Sequence, residues 1–206
     1  MPYSTKHNLL FIHIPKTAGT TIECALDMHH EECLYARKKY EDFLVCPQHL
    51  TLSNLEKTHP AIVENSQIFT VVRNPYDRIV SEFEYIKRLY PKTWAKQYFD
   101  FEFEEFVKIC VTLPPDKRMY AYDGHLESQY SYIEGNDSAK VHVFKFEKLN
   151  ECFDWIKVQT NEDLSFGHEI KTERLPCKEY FTSTTKKLID EFYSIDFEKF
   201  DYPKEI

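Results

Sequence analysis

The chain has 206 residues, 42% hydrophobic and 16% aromatic, enough to bury a substantial core as a single domain, 1–206. Its formal net charge of −8 excludes a broad nucleic-acid-binding face, and no apolar run is long enough to span a membrane. The opening residues MPYSTKHN lack the apolar centre of a signal peptide, which leads to the expectation of a soluble, cytoplasmic protein.

The predicted elements alternate along the chain. Leu9-Leu10-Phe11-Ile12 reads as a short buried strand, and after the turn Pro15–Gly19 the segment Thr20–Asp27 reads as helix. His29–Tyr40 is mixed and charged, a loop or broken helix, followed by a short strand at Phe43-Leu44-Val45. Leu52–Thr58 reads as a helix capped by Ser53 and ended by Pro60. Ile68-Phe69-Thr70-Val71-Val72 is the clearest strand. Pro75 suits a first helical position, and Tyr76, Ile79, Val80, Phe83, Ile86 and Tyr90 recur at helical steps, so an amphipathic helix follows. Further helices are predicted over Phe101–Val111, Gly124–Ile133, Lys148 to about Val158, and Ser183–Tyr193, with a buried strand at Val141–Phe146. Strands alternating with helices argue an α/β fold with a mostly parallel sheet flanked by helices on both faces. Such sheets bind ligands beyond the carboxyl ends of their strands, the edge where Lys16 and Arg73 both fall.

A strand, a tight loop with a glycine and a helix start make an anion site, because the first backbone N–H groups of the helix lack partners. Lys16 adds a positive charge, and Thr17, Thr20 and Thr21 add hydroxyl donors around Ala18 and Gly19. The loop is not a Walker A loop, in which the lysine directly follows the second glycine; here it precedes Gly19 by three residues. A second cluster starts where Arg73 leaves its strand. Pro75 to Ser81 covers roughly 9 Å of helix, a span that an arginine side chain can bridge to meet the serine hydroxyl on one phosphate. The planar guanidinium fork suits phosphate oxygens. Asp77 and Arg78 suit a structural role, an ion pair that orients the loop.

The segment PKTAGTT resembles the 5′-phosphosulfate loop of sulfotransferases, especially the carbohydrate sulfotransferases of the heparan 2-O, chondroitin and HNK-1 type. Arg73 to Ser81 resembles their R-x7-S 3′-phosphate site, with Asn74 where many relatives carry Asp. His125 to Tyr132 is similar to their H-x3-Q-x2-[YF] segment, Phe144–Leu149 to a strand followed by E-x-L, and Asp196–Tyr202 to a closing D-F-E-x-F-x-Y. The resemblance therefore spans nearly the whole chain. It implies a P-loop NTPase-like three-layer fold and the donor 3′-phosphoadenosine 5′-phosphosulfate (PAPS), with adenosine 3′,5′-bisphosphate as product. Lys16 through Thr21, Arg73 and Ser81 would hold the donor, His125 and Gln129 would lie near donor or acceptor, and Glu147 would be structural. It also leaves open a trimmed form of a Golgi-anchored protein.

Sulfuryl transfer requires charge stabilisation on the leaving phosphate and removal of the acceptor's hydroxyl proton. Lys16 suits the first task. A base with pKa near 7 suits the second, which favours histidine. His49, in CPQHLTL, resembles the catalytic-base position of the 2-O branch. His13 alternates within the first strand and is expected to be buried behind the site. In another branch a glutamate just past the loop is the base, and Glu23 stands there. No metal is expected, since no acidic magnesium ligand is evident, and the six cysteines lack the CxxC spacing of a zinc site. They read as buried thiols in an intracellular protein, with disulfides the alternative in a secreted one. The acidic balance favours a neutral glycan or small alcohol over a long polyanion as acceptor. Two rival readings are a small P-loop kinase using ATP and Mg²⁺, and a non-catalytic nucleotide-binding protein.

Overall fold

Two short apolar strands, buried on both faces, organise the fold. In the computed structural model, residues 2–28, 47–89, 102–114, 124–167 and 174–206 are described. The predicted loop at 29–40 and strand at 43–45 lie outside them. Strand β1 (Tyr3–Ser4) pairs antiparallel with β2 (Leu9–Ile12), β2 runs parallel to β3 (Gln67–Val72), and β3 runs parallel to β4 (Val141–Lys145). The helices are α1 (Gly19–Ala25), α2 (Leu52–Thr58), α3 (Pro60–Asn65), α4 (Pro75–Leu89), α5 (Phe103–Thr112), α6 (Gln129–Ile133), α7 (Leu149–Thr160), α8 (Ser183–Phe192) and α9 (Ser194–Lys199).

Successive side chains of a strand point to opposite faces. Leu10, Ile12, Ile68 and Val72 join one core with residues of α4, α5, α8 and α9. Leu9, Phe11, Phe69 and Val71 join a second with Ile22 of α1 and Cys152 and Ile156 of α7. The α/β class follows: a mixed four-stranded sheet with helices packed on both faces. Each buried Leu, Ile or Phe stabilises by about 1.5–3 kcal/mol, so β2 and β3 form a rigid base for the loops at their ends.

Several boundaries depart from expectation. Helix α1 begins at Gly19, one residue early, and ends at Ala25. Thr51, not Ser53, caps α2: its hydroxyl accepts from the Asn54 N–H. Pro60 opens α3 as well as closing α2. The predicted helix over Gly124–Ile133 is a turn followed by a short helix. Glu127 N–H bonds back to the Gly124 carbonyl, Ser128 caps α6, and the Asp196 carboxylate accepts from the Gln129 and Tyr130 N–H groups. His125 is therefore in the turn, not one helical turn from Gln129. Strand β4 is not the expected buried strand: it lies last in the sheet order, and Val143 is 40% exposed. The closing motif packs as expected, with Phe197, Phe200 and Tyr202 in the first core. Of the cysteines, Cys110 and Cys152 are buried while Cys24 is exposed.

Candidate active site

Beyond β2 the chain turns sharply. Lys16 (φ 69°) and Ala18 (φ 72°) both adopt the left-handed conformation, a cost of roughly 1–2 kcal/mol for each L-residue. The loop is tied down from within by Thr17, which is wholly buried and donates its hydroxyl to the Ile14 carbonyl at 2.8 Å. Gly19 is required by close approach: a Cβ there would lie 1.9 Å from Nε2 of His13. Lys16, Ala18, Gly19, Thr20 and Thr21 line a cleft of about 350 Å³.

The same cleft is lined by Arg73 and Ser81 from the end of β3 and from α4. The two cations are thus on one rim, and Arg73 Nη1 donates to the Lys16 carbonyl at 3.2 Å. Nε and Nη2 of Arg73 donate to Oδ2 of Asp77 at 3.0 and 2.6 Å, and the guanidinium lies over the Phe146 ring, 4.1 Å from its centroid. That leaves two of its five N–H donors for a ligand. Burial works against the Asp77 charge, but Arg73 and Arg174 outweigh it and hold the carboxyl below its ordinary range. Lys16 is different. Its ammonium stands 3.7 Å above the centre of the Tyr85 ring and has no carboxylate partner among the described residues. Burial lowers its pKa to about 8; Glu82 opposes the shift, and Arg73 and Arg88 add to it. A half-buried cation with no carboxylate in ion-pair contact among the described residues is costly unless an anion completes the site.

Three histidines line the same cleft. His13 and His49 meet edge to face with centroids 4.6 Å apart, and His49 and His125 likewise at 5.1 Å. Nδ1 of His49 lies 2.9 Å from the His13 carbonyl oxygen. A carbonyl only accepts, so Nδ1 carries the proton and Nε2 keeps a lone pair. Burial pushes the His49 pKa well below its ordinary value, with His13 and His125 adding to the effect, so the ring is neutral. His13 binds Oε1 of Glu23 through Nδ1 at 2.6 Å, and Gln48 donates to the other oxygen at 2.9 Å. Phe146, Leu149 and Phe153 supply an apolar stretch of wall near Arg73. A wider surface hollow of about 610 Å³ near Phe83, Phe103 and Arg174 contains none of the loop residues.

The predicted site residues Lys16, Ala18, Gly19, Thr20, Thr21, His49, Arg73, Ser81 and His125 are brought together on this cleft. Thr17, Glu23 and Gln129 are not: all three are wholly buried behind it. Gln129, expected near donor or acceptor, instead accepts from the Arg73 N–H and donates to the Arg73 carbonyl, each at 2.8 Å, and so fixes the residue that ends β3. Glu23, the alternative base, is held by His13 and Gln48. Glu147 is structural as expected: it accepts from the Asn74 N–H and from the Tyr202 hydroxyl, both at 2.8 Å. Asp77 pairs with Arg73 and Arg174, whereas Arg78 donates to the carbonyls of Pro15, His125 and Glu127.

The Sulfotransferase family model matches residues 2–203, almost the full length that carries these elements. The chain belongs to the sulfotransferase family. No curated protein and no solved structure matches it. Sulfotransferases move a sulfuryl group to an acceptor, so the enzyme is a transferase. Among the described residues no group of three or more His, Cys, Asp or Glu could hold a metal ion, and no helix is long and apolar enough to cross a membrane. Sequence reasoning missed Glu82 and Tyr85 of this sulfotransferase. Both follow Ser81 within about one turn of the same helix, and that spacing was the available signal.

Proposed function

We propose that this sulfotransferase transfers the sulfuryl group of PAPS to a hydroxyl of a carbohydrate or small hydroxyl compound, within one α/β domain of P-loop-like form. The observation that carries the reading is the convergence of Lys16 and Arg73, from the ends of adjacent parallel strands, on one cleft that also holds a neutral histidine. The residues suit a bisphosphorylated nucleotide. Lys16, half-buried and without an ion pair among the described residues, fits the 5′ side together with the N–H groups and hydroxyls of Thr20 and Thr21. Arg73 and Ser81 fit a 3′-phosphate, and the Phe146–Phe153 wall suits a base, which stacks on rings with about 1–3 kcal/mol.

PAPS, when bound, supplies the sulfuryl group, whose S–O bond to the phosphate breaks as the acceptor oxygen bonds to sulfur. Lys16 would place its charge where the leaving phosphate gains negative charge, at a position already partly desolvated. His49 offers the Nε2 lone pair that takes the hydroxyl proton, with Nδ1 locked on the His13 carbonyl. The acidic overall balance favours a neutral acceptor. The test is transfer of label from ³⁵S-PAPS to a panel of glycans and small alcohols. Incorporation into any acceptor supports the reading. No incorporation, together with preference for ATP·Mg²⁺ over adenosine 3′,5′-bisphosphate, would assign a kinase instead.

A further inference from the structure

A proton taken by His49 has no good resting place there. The ring is buried, its anchor is a neutral carbonyl, and among the described residues no carboxylate binds it. The adjacent ring is different. His125 meets His49 edge to face, lines the same cleft, and has Nδ1 2.9 Å from Oε2 of Glu82. Glu82 follows Ser81 on α4 and is 2% exposed. Burial alone would raise its pKa, but His125, through charge and hydrogen bond, and the charges of Lys16 and Arg78 more than offset this and keep it below its ordinary range. An ionised carboxylate can only accept, so Nδ1 of His125 is the protonated nitrogen and Nε2 is the acceptor. A base oriented by a third group in this way is a recurring arrangement at reacting centres.

The groups that face Glu82 are Lys16 from the loop after β2, Arg78 from its own helix, Cys110 from α5, Tyr193 at the end of α8, and His125 itself. Those around His125 are Glu82, the His49 ring, and the Tyr85 ring, which stacks on it with centroids 5.9 Å apart. Glu82 is the carboxylate in direct hydrogen-bond contact with this wall of the cleft on the His125 side.

We propose that Glu82 is a positioning residue for sulfuryl transfer: its buried carboxylate fixes His125 with Nε2 as acceptor and balances the charge when that ring holds the proton released by the acceptor hydroxyl. The proposal rests on the sulfotransferase reading above and deepens it. The acceptor O–H bond breaks as the O–S bond forms, and the S–O bond to the donor phosphate breaks with its electron pair left on the phosphate. The proton leaves the acceptor hydroxyl for the histidines of the cleft, is held at Nε2 of His125 against the Glu82 charge, and passes from there to solvent after product release.

The test compares wild type, Glu82→Gln, which keeps size but removes charge, and Glu82→Asp. The Gln variant should lose about 10–100-fold in kcat, a share of what positioned acid–base groups supply. Its affinity for adenosine 3′,5′-bisphosphate should stay within about twofold at pH 7. The acidic limb of its kcat/KM profile should move to lower pH, because the charge that favours proton uptake is gone, and Asp should restore part of both effects. Unchanged kcat, or a fall with the acidic limb unmoved, would overturn the proposal. Imidazole ¹⁵N NMR of the wild-type protein supplies a readout that needs no variant to fold: Nδ1–H at His125 near neutral pH is expected, and an Nε2–H tautomer would overturn the assignment. Absence of any sulfate transfer by the wild-type enzyme would sink the sulfotransferase reading and this proposal with it, whereas an unaltered Gln variant of an active enzyme would sink only the role of Glu82.

Discussion

A single methyl group at position 19 would report on the packing that holds the histidines of the cleft. Gly19 opens α1, where alanine would ordinarily gain up to about 1 kcal/mol from helix propensity and reduced freedom of the unfolded chain. Here the new Cβ would lie 1.9 Å from Nε2 of His13. The ring cannot swing away at low cost. It is 5% exposed, flanked by Phe11 and His49, and bound through Nδ1 to a fully buried Glu23. Overpacking costs about 1–3 kcal/mol, and a severed buried hydrogen bond about 1–3 kcal/mol more. A net loss of about 3 kcal/mol lowers Tm by roughly 6–12 °C for a chain of this length. Thermal unfolding followed by circular dichroism measures it. In a His13→Ala background the obstacle is gone, so the same Gly19→Ala change should leave Tm unchanged or raise it. A Gly19→Ala protein as stable as wild type would refute the claim that His13 is pinned.

The remaining predictions concern chemistry. Lys16→Ala should lower kcat by about 10²–10³-fold and weaken nucleotide binding, as loss of one preorganised charge stabiliser does; unchanged turnover in the sulfate-transfer assay would remove Lys16 from the mechanism. His49→Ala should cost about 10²–10⁴-fold in kcat while calorimetry shows nearly intact affinity for adenosine 3′,5′-bisphosphate; retained activity would move the proton elsewhere on the histidine wall. The Lys16 pKa of about 8 has a direct consequence for binding. The amine is charged below that pH and neutral above it, so nucleotide affinity should be full at pH 7 and fall as pH rises through 8. Affinity that stays constant to about pH 9.5 would contradict this.

The sheet and the turn after its second strand were legible because each rests on local pattern. The apolar runs at Leu9–Ile12 and Ile68–Val72 could be nothing but buried strands, and the turn at Pro15–Gly19 leaves its lysine on the strand-end rim whatever the rest of the chain does. Distant partners made other features illegible. Helix α6 starts at Gln129 because Ser128 and the far-off Asp196 together satisfy its first N–H groups, a contact that no window of sequence contains. Periodicity ran through His125 and Gln129 alike and could not separate a cleft residue from a buried one. The side chain of Glu23 is taken up by His13 and Gln48, so its nearness to the loop in sequence does not bring it to the cleft. Val141–Lys145 has the composition of an interior strand but lies last in the sheet order among the described residues, and that position is decided by strand order, not by composition.

The link from Asp196 to α6, and from Gln129 of α6 to the backbone of Arg73, has a bearing on protein synthesis. A polypeptide still emerging from the ribosome, with residue 196 inside the exit tunnel, lacks the clasp that sets the end of β3. Its first two strands and the loop after them are already made, yet Arg73 at the end of β3 has no fixed base. The base of the proposed nucleotide cleft is therefore complete only once residue 196 has left the tunnel.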